Sequence, residues 1–383
     1  MGCINSTQTG ETVNEDNPLI LISATIKQIE IIDKIIQNTQ FEDSVAPLKI
    51  ADANLDLMLF SLNESEETYI MKIDRVKKAK MDMDKVLHYS MLGDSLKARL
   101  YLDITRKEML ILNSTLYGSN ETFLPERFSI QKQNRIPLTY YDYVDGDYIG
   151  YQAPAHNIAL VAREAFYEYF KTDDEKSLEN GLLLVDFLLN ISTPADSGNF
   201  IVWENDFRWP AYNLSEGWKG SLSQAGVIKA LMLAYQATDE LKYKTSAEKA
   251  ISAFNYDISD GGLRTIRIGD GEEYLWYPEY VRNEPPFVLN GFVTTVIWLD
   301  EYYEFTGYEP AKELSNAGIE SLTHYLKDYD LMDAGTYYDV SGTIANEHYH
   351  NMHVEQMQTL YNITEREIFK NYHEKWRNAT IIN

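Results

Sequence analysis

The sequence of 383 residues holds a single cysteine, Cys3, so no disulfide can form within the chain. It has no run approaching the roughly 18 consecutive apolar residues that a membrane-spanning helix needs. The apolar start of the first helical segment, Leu19 to Ile22, stops far short of that. Positive charge is scarce: 34 Lys and Arg face 59 Asp and Glu, a net charge of −25. That balance argues against a nucleic-acid partner, because phosphate binding needs a basic face. The deficit is uneven. Residues 1–133 carry 15 basic against 20 acidic side chains, and residues 134–383 carry 19 against 39. Most of the excess is ordinary solvated helix surface, yet it would repel a densely sulphated polymer unless a local positive patch received it.

What the chain does contain begins with an N-terminal signal. Cys3 follows Met1-Gly2 and precedes a polar run, Ile4 to Asn17. Residues 1–17 therefore read as a disordered tether, with Cys3 as the lipid anchor of a lipoprotein. The same residues also fit an acylation pattern on Gly2. Asn-X-Ser/Thr sequons begin at Asn5, Asn63, Asn113, Asn120, Asn190, Asn213, Asn362 and Asn378. Such sites are surface acceptors in secreted proteins, and the expectation is an extracellular or cell-surface chain. Any membrane association would run only through Cys3.

The fold expected is all-α. Residues 18–133 read as a helical bundle. Ile22, Ile26, Ile29, Ile32 and Ile36 recur at helical spacing, and further periodic segments run Leu48–Leu62, Thr68–Met91 (Met71, Val76, Met83, Leu87) and through Leu96, Leu100, Ile104 and Leu110 to Leu116. This bundle is a candidate spacer or homodimer contact. Residues 134–383 repeat: an apolar helix, a Thr-containing turn, a second helix. The turns at 171–174, 237–240, 305–308 and 362–365 imply four helical hairpins. The longer connections between hairpins are rich in Gly, Trp and Tyr. This arrangement suits an α/α toroid with its function on one rim. All six Trp and 24 of 28 Tyr fall after residue 133. Packing explains more than half of them, and sugar recognition is the alternative for the rest.

Three motifs carry a resemblance. Trp276-Tyr277-Pro278-Glu279-Tyr280 with Phe287-Val288-Leu289-Asn290-Gly291-Phe292 comes first. Gly335-Thr336-Tyr337-Tyr338-Asp339 follows, then Tyr349-His350-Asn351-Met352-His353 with Gln356-Met357-Gln358. In that order and spacing they resemble the C-terminal helical domain of D-glucuronyl C5-epimerases over about residues 200–378, with Gly217-Trp218 a looser match upstream. The resemblance implies C5-epimerisation of D-glucuronyl residues in a polysaccharide, as in a heparosan-N-sulfate-glucuronate 5-epimerase, with no cofactor and no metal. It implies Glu279, Tyr338 and Tyr349 as catalytic residues. Tyr280, Trp276, Asn290, Arg282, His350, His353 and Trp218 would bind the substrate.

The chemistry explains the residue types. Epimerisation removes a weakly acidic proton α to a carboxylate and returns one to the opposite face. It needs a base, an acid and donors around the carboxylate. On composition alone Glu279 is more simply a solvated loop carboxylate, and the tyrosines packing groups. His350 and His353, three apart on a helix, are more simply core histidines than metal ligands. The family continues its second motif with an arginine where this chain has Ser341. Arg282, Arg264, Arg267 and Arg208 are candidates to replace that cation. Polysaccharide β-elimination, a hydrolase pairing Glu279 with Asp339 or Glu347, and a non-catalytic glycan-binding lipoprotein are the competing readings.

Overall fold

A computed structural model of the chain describes residues 18–37, 41–61, 67–116, 125–132, 135–195 and 198–379. Cys3 and its tether, and the sequons at Asn5, Asn63 and Asn120, lie outside them. Of the remaining sequons, Asn190, Asn213, Asn362 and Asn378 are exposed.

The described residues are predominantly helical and fall into two compact units, residues 1–129 with 140–152, and residues 130–139 with 153–383. The first contains α1 (Pro18–Gln37), α2 (Phe41–Ser61), α3 (Glu67–Met91) and α4 (Ser95–Leu116). Each packs on its sequence neighbour, and α1 also packs on α4, which makes a four-helix bundle. Its core holds Ile22, Ile29, Ile32, Val76, Met83, Leu100 and Ile104. Met71 and Leu110, counted on the apolar stripes in sequence, are exposed: helical spacing fixes period, and packing fixes which edge of a wide stripe is covered. Helix α2 starts ahead of Pro47, which it carries inside.

The segment 140–152, assigned by sequence to the second domain, clusters with the bundle because two buried charges hold it. Glu108, fully buried, accepts the Tyr151 N–H (2.6 Å) and the Tyr148 hydroxyl (2.6 Å). Buried Arg75 donates to the Tyr148 and Tyr140 hydroxyls. An unpaired buried charge is costly, so these contacts hold the segment to the bundle.

The second unit is the α/α toroid: α5 (Ala155–Thr172) and α6 (Glu175–Asn190), α7 (Ser221–Thr238) and α8 (Leu241–Ser252), α9 (Leu289–Thr306) and α10 (Glu309–Tyr325), α11 (Glu347–Thr364) and α12 (Glu367–Arg377). Helix α7 packs on α5 and α9, and α9 on α11, so the first helices of the hairpins form the inner layer. Helices α7 and α9 are buried on nearly every side, as inner helices must be.

One turn is built four times. Each inner helix ends in Thr, and the next residue, Asp173, Asp239, Gly307 or Glu365, is left-handed. Its N–H returns to the carbonyl of Tyr169, Tyr235, Tyr303 or Tyr361. The Thr hydroxyl donates to the carbonyl four residues back in every copy, at 2.7 to 2.8 Å. Last-turn carbonyls are thereby satisfied without a wider loop.

Candidate active site

The first turns of α7 and α9 are tied to one loop, residues 277–281. At α7 the Ser221 N–H donates to the Pro278 carbonyl (3.0 Å) and its hydroxyl to the Tyr277 carbonyl (2.7 Å). The Val281 N–H donates to the Lys219 carbonyl (3.0 Å). Gly220 permits this approach, since a Cβ there would lie 2.3 Å from the Glu279 carbonyl oxygen.

Glu279 then turns its carboxylate towards α9. Gly291, the third residue of that helix, leaves the notch it occupies: a Cβ on Gly291 would meet Oε2 at 2.1 Å and Cδ at 2.7 Å. The Tyr338 carbonyl accepts the N–H of Leu289, the first residue of α9 (3.0 Å). Tyr349 is the third residue of α11, and the N-cap Asn346 accepts its N–H (3.0 Å). The loop, the second motif and two helix starts thus converge on Glu279, Tyr280, Tyr338 and Tyr349.

Burial decides the protonation of this cluster. Loss of solvent pushes the Glu279 carboxyl up to about 7, and only the Tyr280 hydroxyl and the Gly291 amide pull the other way. Oε2 is enclosed without a hydrogen-bond partner. A carboxylate at a helix start is normally held low; here desolvation exceeds that effect. The phenols of Tyr280, Tyr338 and Tyr349 are all raised, first by burial and next by the nearby Glu279 charge. They stay protonated at neutral pH and serve as donors. The Tyr338 and Tyr349 rings lie 4.7 Å apart.

A fourth phenol escaped the sequence motifs. Tyr212 lies in the aromatic-rich connection before α7. Its ring is 4.4 Å from that of Tyr280, and its hydroxyl donates to Asp339 Oδ2 (3.2 Å). It too is raised, by burial, then by Asp339, with Glu279 and Tyr349 contributing. No spacing rule marks Tyr212; only the density of Trp and Tyr in that connection did.

Asp339 is buried and organises its loop. It accepts the Ser341 N–H (2.9 Å) and hydroxyl (2.5 Å) and the Thr343 hydroxyl (3.0 Å). Ser341 therefore turns back onto Asp339. Among the four candidate arginines, Arg264 pairs with Asp257. Arg267 pairs with Asp328 and lies over the Tyr325 ring at 3.6 Å. Arg282 is exposed and donates to the Tyr212 carbonyl (2.8 Å), beside the phenol cluster. Arg208 is exposed.

Several expected substrate contacts are placed in the core instead. Trp276 is wholly buried and stacks on Phe292 at 3.7 Å. Asn290 is buried, its carbonyl accepting from Gln356 (2.8 Å). The hydroxyl of Thr336 lies between His350 Nδ1 (3.1 Å) and His353 Nδ1 (2.9 Å), and His350 Nε2 faces the Trp376 carbonyl (3.0 Å). Burial pushes His353 down to about 3. This buried pair fastens the second motif to α11 and α12 and is turned away from solvent. Trp218, by contrast, is half-buried, 5.8 Å from the Tyr280 ring, with its indole N–H on the Phe207 carbonyl (2.8 Å).

Comparison with known proteins bears on this arrangement. The family described as D-glucuronyl C5-epimerase C-terminus matches residues 196–378. An uncharacterized protein of Methanocaldococcus jannaschii is 42% identical over 265 residues, 66% of this chain and 85% of that protein. The D-glucuronyl C5-epimerase of Caenorhabditis elegans is 32% identical over 182 residues, 43% of this chain but only 29% of that enzyme. A family 76 glycoside hydrolase from a bovine Bacteroides thetaiotaomicron strain superposes with a TM-score of 0.42 at 12% identity, over 75% of this chain and 55% of that one. The motifs, the matched region and the Caenorhabditis elegans relative agree, and through residues 196–378 the chain belongs to the family described as D-glucuronyl C5-epimerase C-terminus.

Proposed function

We propose that this chain epimerises D-glucuronyl residues at C5 within an extracellular uronate polysaccharide. Glu279 takes the C5 proton, and the electron pair delocalises into the sugar carboxylate. The Tyr349 hydroxyl returns a proton to the opposite face. Tyr338 and Tyr280 donate hydrogen bonds to the developing charge, which costs least when donors are already oriented. One observation carries the reading: a carboxyl poised near neutrality lies among phenols that burial keeps protonated. A base works best with a pKa near the working pH. The starts of α9 and α11 add their positive ends at this site, which favours an anionic ligand on an otherwise acidic domain.

β-Elimination shares the first step and differs in expelling the C4 oxygen. Incubation of a glucuronate polymer in deuterated water, read by NMR at C5 and by ultraviolet absorbance, separates the two. Deuterium is expected at C5 with no unsaturated product. Glu279→Gln and Tyr349→Phe should each lower the exchange rate by about 10²–10⁴-fold, the usual worth of a general acid or base. Exchange unchanged in both variants refutes the assignment.

A further inference from the structure

We infer that four half-buried rings, Tyr212, Tyr280, Trp218 and Trp209, form a subsite for the sugars next to the reacting one. This deepens the reading above and rests on it. Centroids follow one another at 4.4 Å (Tyr212 to Tyr280), 5.8 Å (Tyr280 to Trp218) and 6.5 Å (Trp218 to Trp209). Successive planes are tilted by 34°, 37° and 34°. Neighbouring rings of the row are therefore inclined to one another rather than perpendicular. Phe207, buried, meets Trp209 and Trp218 edge-on, at 82° and 83°.

None of the four rings is fully covered by protein. Two tryptophans and two tyrosines left half-buried as successive neighbours contrast with Trp203, Trp276 and Trp376 of the same unit, all sealed in the core. A flat apolar ring with a partly open face suits the C–H face of a pyranose, and burying that face removes apolar surface from water. The Tyr212–Tyr280 end of the row lies beside Glu279, whose charge bears on both phenols, and Trp218 and Trp209 follow at the other end. Arg282 sits at the same end, on the Tyr212 carbonyl, where a uronate carboxylate passing along the row would meet a cation. The ligand class is an oligosaccharide containing glucuronate, and Trp209 governs the units farthest from the reacting sugar.

The test measures equilibrium binding of a glucuronate disaccharide and a decasaccharide of the same polymer to the full chain, with Trp209→Ala and Trp209→Phe, alongside C5 exchange on the decasaccharide. Trp209→Ala should raise Kd for the decasaccharide about tenfold, the scale of one lost stacking contact. It should leave the disaccharide unchanged, and Trp209→Phe should restore most of the loss. The decasaccharide KM should rise in parallel, with kcat little changed. Equal weakening of both ligands, no weakening of the longer one, or a wild-type chain that does not bind the decasaccharide overturns the subsite. Length-selective binding through Trp209 without C5 exchange in the wild type would instead overturn the epimerase reading and leave the subsite standing.

Discussion

Replacing Glu279 by Gln should change how the stability of the protein depends on pH, whatever its substrate. In the fold the carboxyl titrates at about 7, against 4.5 for the unperturbed group. Folded-state Glu279 thus holds its proton more tightly than unfolded Glu279. Ionised and enclosed, it opposes folding above pH 7; protonated, it does not. Its adverse contribution therefore appears as pH rises from about 4.5 to 7 and is complete above that range. At ~1.4 kcal/mol per pH unit the ceiling is about 3 kcal/mol. Glu279 keeps some contact with solvent, so about 1–2 kcal/mol is the expected size. Urea unfolding at pH 5 and pH 8 measures it. The stability of Glu279→Gln relative to wild type should improve by that amount between the two values, even if the amide costs something at both. The same ionisation makes the wild-type exchange rate rise with pH to a plateau above about 7. A stability difference between the two proteins that does not vary with pH would refute the claim that burial controls this carboxyl.

Gly291→Ala tests the notch. Helix propensity favours Ala by about 1 kcal/mol, so thermal stability should hold within a few degrees, while C5 exchange falls about 100-fold because a carboxylate moved by an ångström no longer fits its task. Full activity in Gly291→Ala would mean that the carboxylate is not seated there. At the repeated turns, Gly307→Ala should cost about 1 kcal/mol, and Asp239→Gly should gain roughly half that, because the left-handed position suits only glycine without strain; calorimetry of both checks it, and like responses at the two turns would contradict their common geometry.

The sequence made the architecture legible because the toroid repeats. Thr before a left-handed residue punctuates each hairpin, and α5 to α12 fall where that punctuation sets them. It was least legible where charge is resolved by distant partners. Residues 140–152 fall in the second domain when read from sequence, and only the contacts to Glu108 and Arg75 cluster them with the bundle. Glu279, Tyr280, Tyr338 and Tyr349 are marked as candidates by motif order alone, since nothing local separates a phenol at a site from a phenol in a core. Trp276, His350 and His353 lie in the same motifs yet brace the core, because a motif records what a fold needs as well as what its chemistry needs. Tyr212 and Gly291 were missed for opposite reasons. One stands outside every motif, and the other acts only by lacking a side chain.

The fourfold turn closes the ends of α7, α9 and α11 opposite to those beside Glu279, Tyr338 and Tyr349, about 27 Å away along each 18-residue helix. A substitution that loosens one of these turns should therefore register as lost stability without directly moving the candidate site.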